Sequence, residues 1–114
     1  MDKIQEYKLG SFIVDNRHFI GSIKIIDSKI KYWEREGAQI LEIQDIDDLL
    51  KSQPEYIVIG TGAGGLLKVP DGLRQTLLAK GVSVVVGKTQ EVVHRFNELN
   101  SQKKKVAGIF NSGS

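Results

Sequence analysis

The sequence predicts an α/β fold in which an antiparallel β-meander precedes a β-α-β-α-β unit. Up to about residue 33, short apolar runs are separated by turns that contain Asp, Asn or Ser, which is typical of hairpins. From residue 56 onward, β-branched runs alternate with segments of helical period, which predicts a sheet with right-handed crossovers and helices against its face. Each half is too small to fold alone, so we expect residues 1–114 to form one domain.

The predicted meander comprises three strands. Residues 9–14 and 18–26 are apolar runs joined by the turn Asp15-Asn16-Arg17, which indicates a hairpin. A second turn, Asp27-Ser28-Lys29, leads into residues 30–33, whose alternation indicates a strand with one solvent-facing side. Residues 34–39 are expected to form a loop, and residues 40–43 either a short strand or an extended connection.

A short helix is predicted between the two halves of the chain. Asp45 is a suitable N-cap for residues 46–51, which carry acids in the first turn and Lys51 near the end, as the helix dipole favours. Pro54 ends this element because the residue before a proline disfavours the helical region.

Three strands and two helices are predicted in the second half. The strands occupy residues 56–60, 82–86 and 106–110. Pro70 and Asp71 open the first helix, which ends at Gly81. Thr89 is expected to cap the second helix, whose apolar positions extend to Leu99.

Composition excludes several classes of protein and site. No apolar run approaches the roughly 20 residues of a membrane span, and the start lacks a secretory signal, so a cytoplasmic protein is expected. Without cysteine, the chain has no disulfides, thiolate metal sites or cysteine nucleophiles. The net charge of +2 is interspersed, and the compact basic run at residues 103–105 is interpreted as a solvated turn, so no nucleic-acid partner is expected.

The glycine cluster after the strand at residues 56–60 is the main candidate site. Gly60, Gly62 and Gly65 have dinucleotide-binding spacing, and Thr61 and Gly64 lie between them. However, the next helix begins only at Pro70, and Gly87-Lys88 stands where a ribose-binding acid belongs. Nucleotide binding is therefore disfavoured, no cofactor is expected, and a small-anion site and a purely structural turn remain as alternatives.

Three residues near the last helix complete the candidate set. Thr89 follows the second parallel strand, so its hydroxyl either faces the glycine cluster or simply caps the helix. Arg95 is placed to pair with Glu91, and Asn97 to tie the helix to a neighbouring loop. No metal site is expected from the two isolated histidines.

The order of several short motifs resembles the small Mth-type domain family. The motifs are Trp33, Pro54 before a strand into Gly60-Thr61-Gly62, Thr89, Arg95-Phe96-Asn97, and a basic turn into Val106-Ala107-Gly108-Ile109. The family includes archaeal and bacterial proteins of unknown function, the adipogenesis-associated domain protein and a mitochondrial assembly factor for NADH dehydrogenase.

The resemblance implies a three-layer α/β domain around a mixed sheet. It also implies that Gly60, Thr61 and Gly62 correspond to the family's glycine motif, and that Thr89, Arg95 and Asn97 correspond to its later signature. Several relatives end in a cysteine after the last strand, whereas this chain has Asn111-Ser112-Gly113-Ser114, so a thiol-dependent role is not expected.

Two functional hypotheses follow from the sequence. The first is a non-enzymatic binding or assembly module whose partner is another protein or a second copy of the chain. The second is a small-anion or ligand-binding protein, or a cryptic enzyme, that uses the backbone N–H groups of residues 62–65 and the helix start at Thr89.

Overall fold

A computed structural model describes residues 3–35, 37 and 39–114. The described residues form eight strands and three helices. In chain order these are β1 (Ile4–Lys8), β2 (Ser11–Val14), β3 (Arg17–Ile20), β4 (Ile23–Ile26), β5 (Lys29–Tyr32), α1 (Ile43–Lys51), β6 (Tyr56–Gly60), α2 (Asp71–Ala79), β7 (Ser83–Gly87), α3 (Thr89–Ser101) and β8 (Val106–Phe110). No described helix is long and apolar enough to cross a membrane.

The strands form two sheets. The larger has five strands in the order β5-β4-β8-β6-β7, with β6 parallel to both β7 and β8 and with antiparallel pairs elsewhere. The smaller is the antiparallel meander β1-β2-β3. An α/β fold with a mixed sheet and an N-terminal meander is therefore confirmed.

Two apolar clusters, one on each face of the larger sheet, give the molecule three layers. On one face, the meander and α3 pack against the sheet through a cluster that includes Phe12, Phe96 and Phe110, all buried. On the other face, α1 and α2 pack through a cluster that includes Leu49 and Leu77, also buried.

Two details of the predicted elements differ from the structure. The run at residues 18–26 contains two strands, β3 and β4, because Gly21 interrupts it with a φ of +117°. Strand β1 was not predicted. Of the two alternatives for residues 40–43, the structure has the extended connection, with an isolated bridge at Ile40 and with Ile43 as the first residue of α1. Residues 36 and 38 of the predicted loop lie outside the described part of the chain.

The helix caps also differ from the predictions. Helix α1 begins earlier, at Ile43, and Asp45 is its third residue rather than its cap. The Asp45 carboxylate accepts a hydrogen bond from the Glu42 amide at 2.8 Å, which forms one half of a capping box. Thr89 is the first residue of α3, and its hydroxyl makes no cap.

Candidate functional site

The glycine loop, residues 60–65, leaves the carboxyl end of β6 between the ends of β7 and β8. It needs glycine for two reasons. A Cβ at Gly60 would lie 2.8 Å from the Thr89 hydroxyl oxygen, which is closer than carbon and oxygen pack. Gly62 has a φ of +100°, a conformation that residues with side chains rarely adopt. The close approach of Thr89 therefore explains Gly60, and the positive φ explains Gly62.

Thr89 joins the glycine loop to the end of the chain. Its hydroxyl accepts a hydrogen bond from the Gly62 amide and donates one to the Asn111 carbonyl, both at 2.8 Å. Its amide donates to the Gly62 carbonyl at 3.2 Å. The side chain is fully buried. Of the two alternatives for the Thr89 hydroxyl, the structure therefore has the first: the hydroxyl lies against the glycine loop and does not cap α3.

The tail, residues 111–114, occupies the surface that the loop amides face. The Ala63 amide donates to the Gly113 carbonyl at 2.8 Å. The amides of Gly64 and Leu66 converge on one oxygen of Ser114, at 3.2 and 3.0 Å. These amides therefore bind oxygen atoms, as an anion site would, but the oxygens belong to the chain itself.

Residues of the meander and of the turn that follows it form further hydrogen bonds with the tail. The Tyr7 hydroxyl donates to the Ser112 carbonyl at 2.9 Å, and the Gly10 amide donates to the same oxygen at 2.8 Å. The Ser112 amide donates to the Ser22 hydroxyl at 2.9 Å. Burial raises the pKa of the Tyr7 phenol, against a smaller lowering from the Ala63 backbone, so the phenol remains a donor.

Arg95 and Asn97 lie apart from the glycine loop. Arg95 is exposed on α3 and pairs with Glu98 at 2.5 Å, rather than with Glu91. The Asn97 amide group donates to the Ile4 carbonyl at 2.8 Å and accepts from the Ile4 amide at 2.9 Å. Asn97 therefore fixes β1 against α3. The structure thus brings Thr89 to the glycine loop, but not these two residues.

A buried carboxylate lies near the start of α1. Asp45 accepts two hydrogen bonds from the Arg35 guanidinium, both at 2.8 Å, and one from the Trp33 indole at 3.3 Å. Burial raises the pKa of Asp45, but the hydrogen bonds from Arg35, the Glu42 amide and Trp33 outweigh it and lower the pKa overall. Through these internal hydrogen bonds, Asp45 stabilises this corner of the fold.

Asp48, one turn further along α1, forms a second internal ion pair. Lys24 and Lys31 contact its carboxylate at 3.2 and 2.6 Å. Burial raises the pKa of Asp48, but hydrogen bonds from Lys31 and then Lys24 lower it overall. No three His, Cys, Asp or Glu side chains in the described ranges are grouped to hold a metal.

A groove runs between α1 and α2 on the outer side of the sheet, and sequence reasoning did not find it. It consists of two cavities of about 590 and 620 Å³ that share Ile43 and Thr76. Leu50, Pro54 and Val82 line one half, and Ile40, Leu41 and Leu73 line the other. Ile40 and Ile43 are 50% and 45% exposed. The amphipathic pattern of α1 was the one signal for it, and that pattern also fits a helix packed wholly on the sheet.

Known structures share this fold over nearly its whole length. An outer membrane protein from Bartonella henselae is 30% identical, with a TM-score of 0.85 and coverage of 99% of this chain and 96% of the other. A conserved hypothetical protein from Pyrococcus horikoshii OT3 is 22% identical, with a TM-score of 0.85 and coverage of 98% and 99%. A Mth938-like domain from Bordetella pertussis is 18% identical, with a TM-score of 0.65 and coverage of 99% and 87%.

The sequence itself matches one family, described as a protein of unknown function (DUF498/DUF598), over residues 4–111. This match spans both sheets, all three helices and the glycine loop. It also agrees with the resemblance drawn from the order of Trp33, the glycine motif and Thr89. The chain therefore belongs to the DUF498/DUF598 family, and it shares its fold with a Mth938-like domain.

Proposed function

We propose that this protein is a non-enzymatic binding or assembly module of the cytoplasm that receives a helix of a partner protein in the α1/α2 groove. The observation that carries the proposal is the exposed apolar side chain of Ile43 at the centre of that groove. Paired helices with an apolar cleft between them are a recurring receptor for amphipathic helices. Since α1 and α2 each have nine residues, the groove is about 13 Å long and matches two to three helical turns.

The charges along the groove favour one orientation of the partner helix. Helices α1 and α2 run in the same direction, because their first residues line one cavity and their last residues line the other. Glu42 lies at the first end. At the second end, Lys51 and Lys80 outnumber Asp47, which pairs with Lys51 at 3.3 Å, so that end keeps a net positive charge. A partner helix that runs antiparallel to both would place its acidic first turn beside the lysines and its basic last turn beside Glu42.

Two synthetic peptides of identical composition test the proposal. Both are amphipathic helices with a leucine stripe; one carries glutamates first and lysines last, and the other has these charges exchanged. Fluorescence anisotropy should show that the acid-first peptide binds at least about tenfold more tightly, which corresponds to about 1.4 kcal/mol. Ile43→Glu should abolish binding. Leu78→Glu is the matched control, because Leu78 is 61% exposed on α2 but does not line the groove.

Three results would contradict the proposal. They are no binding of either peptide, equal affinity for both peptides, and unchanged binding by the Ile43→Glu variant. The double variant Lys51→Glu, Lys80→Glu extends the test, since it should reverse the preference between the peptides without changing the apolar floor.

A second candidate function is the binding of a small anion by the glycine loop, with Gly60, Thr61, Gly62, Gly64 and Gly65 forming the loop and Thr89 supporting it. The observation that favours it is the convergence of the Ala63, Gly64 and Leu66 amides on oxygen atoms of the tail. An anion would take the place of these oxygens. Arg95 and Asn97, which complete the set proposed from the sequence, lie away from the loop and would act only indirectly.

Thermal unfolding with phosphate, nucleotides and carboxylates tests this candidate. A hundredfold excess over the dissociation constant would stabilise the protein by about 2.7 kcal/mol. Tyr7→Phe should enlarge the response, because it removes a hydroxyl that holds the tail in place. If no anion raises the melting temperature of either the wild type or this variant, the candidate is eliminated.

A further inference from the structure

Strand β7 forms an open edge of the larger sheet. Its alternate residues bond to β6: the Ser83 amide donates to the Glu55 carbonyl, and the Gly87 carbonyl accepts from the Thr61 amide. The main-chain groups of Val84 and Val86 consequently point away from β6. Among the described residues, none forms a hydrogen bond with these outward groups.

The other sheet edges carry features that discourage pairing with another strand, and β7 carries none. Strand β5 has Lys29 and Lys31, and β3 begins with Arg17. Strand β1 has a register irregularity between Ile4 and Glu6. By contrast, β7 reads Ser-Val-Val-Val-Gly, without a charge, a proline or an irregularity in its register. Unprotected edges of this kind bind further strands readily.

We propose that two copies of the chain pair through β7, antiparallel about a two-fold axis at Val85, to form a continuous ten-stranded sheet. In this register, the outward groups of Val84 in one copy lie opposite those of Val86 in the other. Each such pair exchanges two hydrogen bonds, so the four outward amides and carbonyls of each pair of residues are satisfied. Ser83 lies opposite Gly87, and because glycine has no side chain, this pair leaves room at both ends of the paired strands.

The side chains and charges around β7 favour a second copy of the chain as the partner that pairs with this strand. Val85 lies on the α3 side of the sheet, and Val84 and Val86 lie on the α1/α2 side, so the two apolar clusters both continue across the axis. Lys88, the first charge beyond the strand, would lie opposite Val82 and not opposite another lysine. The same operation on β5 would bring the lysines of the two copies together, at a cost in free energy.

Single cysteine variants test both the contact and its register, because the chain contains no cysteine. Val85 is its own partner across the axis, at a position without hydrogen bonds where the two Cα atoms lie about 4.5 Å apart. Val85→Cys should therefore form a disulfide-linked dimer rapidly under mild oxidation. Ser83→Cys and Lys31→Cys are the controls. In the proposed dimer, the two copies of residue 83 are separated by four positions along the strands, and residue 31 is on the other edge of the sheet.

Sedimentation of the unmodified chain gives an independent measurement. We expect twice the 12.7 kDa chain mass, and a return to the monomer mass for Val85→Lys, which places two lysines against each other. A wild-type protein that stays monomeric up to millimolar concentration overturns the proposal. So does cross-linking of Ser83→Cys or Lys31→Cys as fast as Val85→Cys. Circular dichroism of each variant establishes that it is folded before its mass is interpreted.

Discussion

Replacement of Thr89 by valine should destabilise this protein far more than any other threonine-to-valine change in the sheet and helix layers. The two side chains have nearly the same shape, so the change removes a hydroxyl without opening a cavity. That hydroxyl is fully buried and has two main-chain partners, the Gly62 amide and the Asn111 carbonyl, each at 2.8 Å. Both partners would lose their hydrogen bond at once.

The expected magnitude follows from these two orphaned groups. A buried polar group left without a partner costs about 1 to 3 kcal/mol, so Thr89→Val should lower the free energy of unfolding by about 2 to 6 kcal/mol. Thr61→Val should cost only about 1 kcal/mol. Its hydroxyl donates to the Gly87 carbonyl at 3.0 Å, but that carbonyl also accepts from the Thr61 amide at 2.9 Å and stays satisfied.

Urea unfolding of the wild type and three variants measures these differences. The third variant, Thr76→Val, is the surface control: its hydroxyl bonds the Gly72 carbonyl within exposed α2, so the expected change is within about 0.5 kcal/mol. The expected order of destabilisation is Thr89, Thr61, Thr76. If Thr89→Val unfolds at the same urea concentration as Thr76→Val, Thr89 does not join the loop to the tail.

Three further predictions concern the tail, the buried carboxylate and strand β1. Gly65→Ala should cost about 1 to 2 kcal/mol for a positive φ, and Gly62→Ala should cost more, because its Cβ would also clash with the backbone of the tail. Only Gly62→Ala should also accelerate amide exchange in the tail, because its Cβ would lie 2.5 Å from the Ser114 carbonyl carbon. The pKa of Asp45 is lowered in the folded state, so its carboxylate stabilises the fold fully above the unfolded pKa of about 3.9, and this stabilisation is lost as the pH falls below that value. The Asp45→Asn variant should therefore be less stable than the wild type at neutral pH and should lose less stability on acidification. Asn97→Ala should accelerate exchange of the Ile4 amide, whose partner it removes, without changing any response to anions.

A different result would contradict each of these predictions. Equal tail exchange in the Gly62 and Gly65 variants would mean that the tail does not pack on the loop. Stability curves for Asp45→Asn and wild type that run parallel in urea from about pH 6 to acid would show that Asp45 contributes nothing to acid sensitivity. Arg95→Ala is the control for Asn97→Ala, because in the described part of the chain Arg95 bonds an exposed glutamate on its own helix and not Ile4. Comparable exchange in the two variants would remove the role of Asn97.

The fold was predictable because its signals are local. Alternating polarity, turn residues and the strand-helix alternation after residue 56 each extend over a few residues, and each agrees with the sheet that forms. Strand β1 was missed because Gln5, Glu6 and Lys8 give it a polar character, and its position depends on pairing with β2 and on Asn97. A strand held by a side chain 93 residues away carries no local signal.

The candidate site was predictable only in part, because the groups that contact the glycine loop are distant from it in the sequence. Glycines after a buried strand indicated a close approach, and Gly60 and Gly62 do meet other groups closely. The sequence did not reveal which groups these are, since phosphate oxygens and main-chain carbonyls require the same amide geometry. Only the three-dimensional arrangement brings residues 111–114 onto the loop.

The tail sets a quantitative limit on any ligand of the glycine loop. At least six hydrogen bonds hold its last three residues: three from the amides of Ala63, Gly64 and Leu66, two to the Ser112 carbonyl and one from the Ser112 amide to Ser22. At a net value of about 0.5 to 1.5 kcal/mol each, their loss would cost about 3 to 9 kcal/mol. Because a binding-competent state at that free energy is rarely populated, the apparent dissociation constant of an anion would rise by about two to six orders of magnitude. The α1/α2 groove requires no such displacement, since its apolar side chains Ile40 and Ile43 are already exposed, and this difference favours the groove as the surface through which the protein acts.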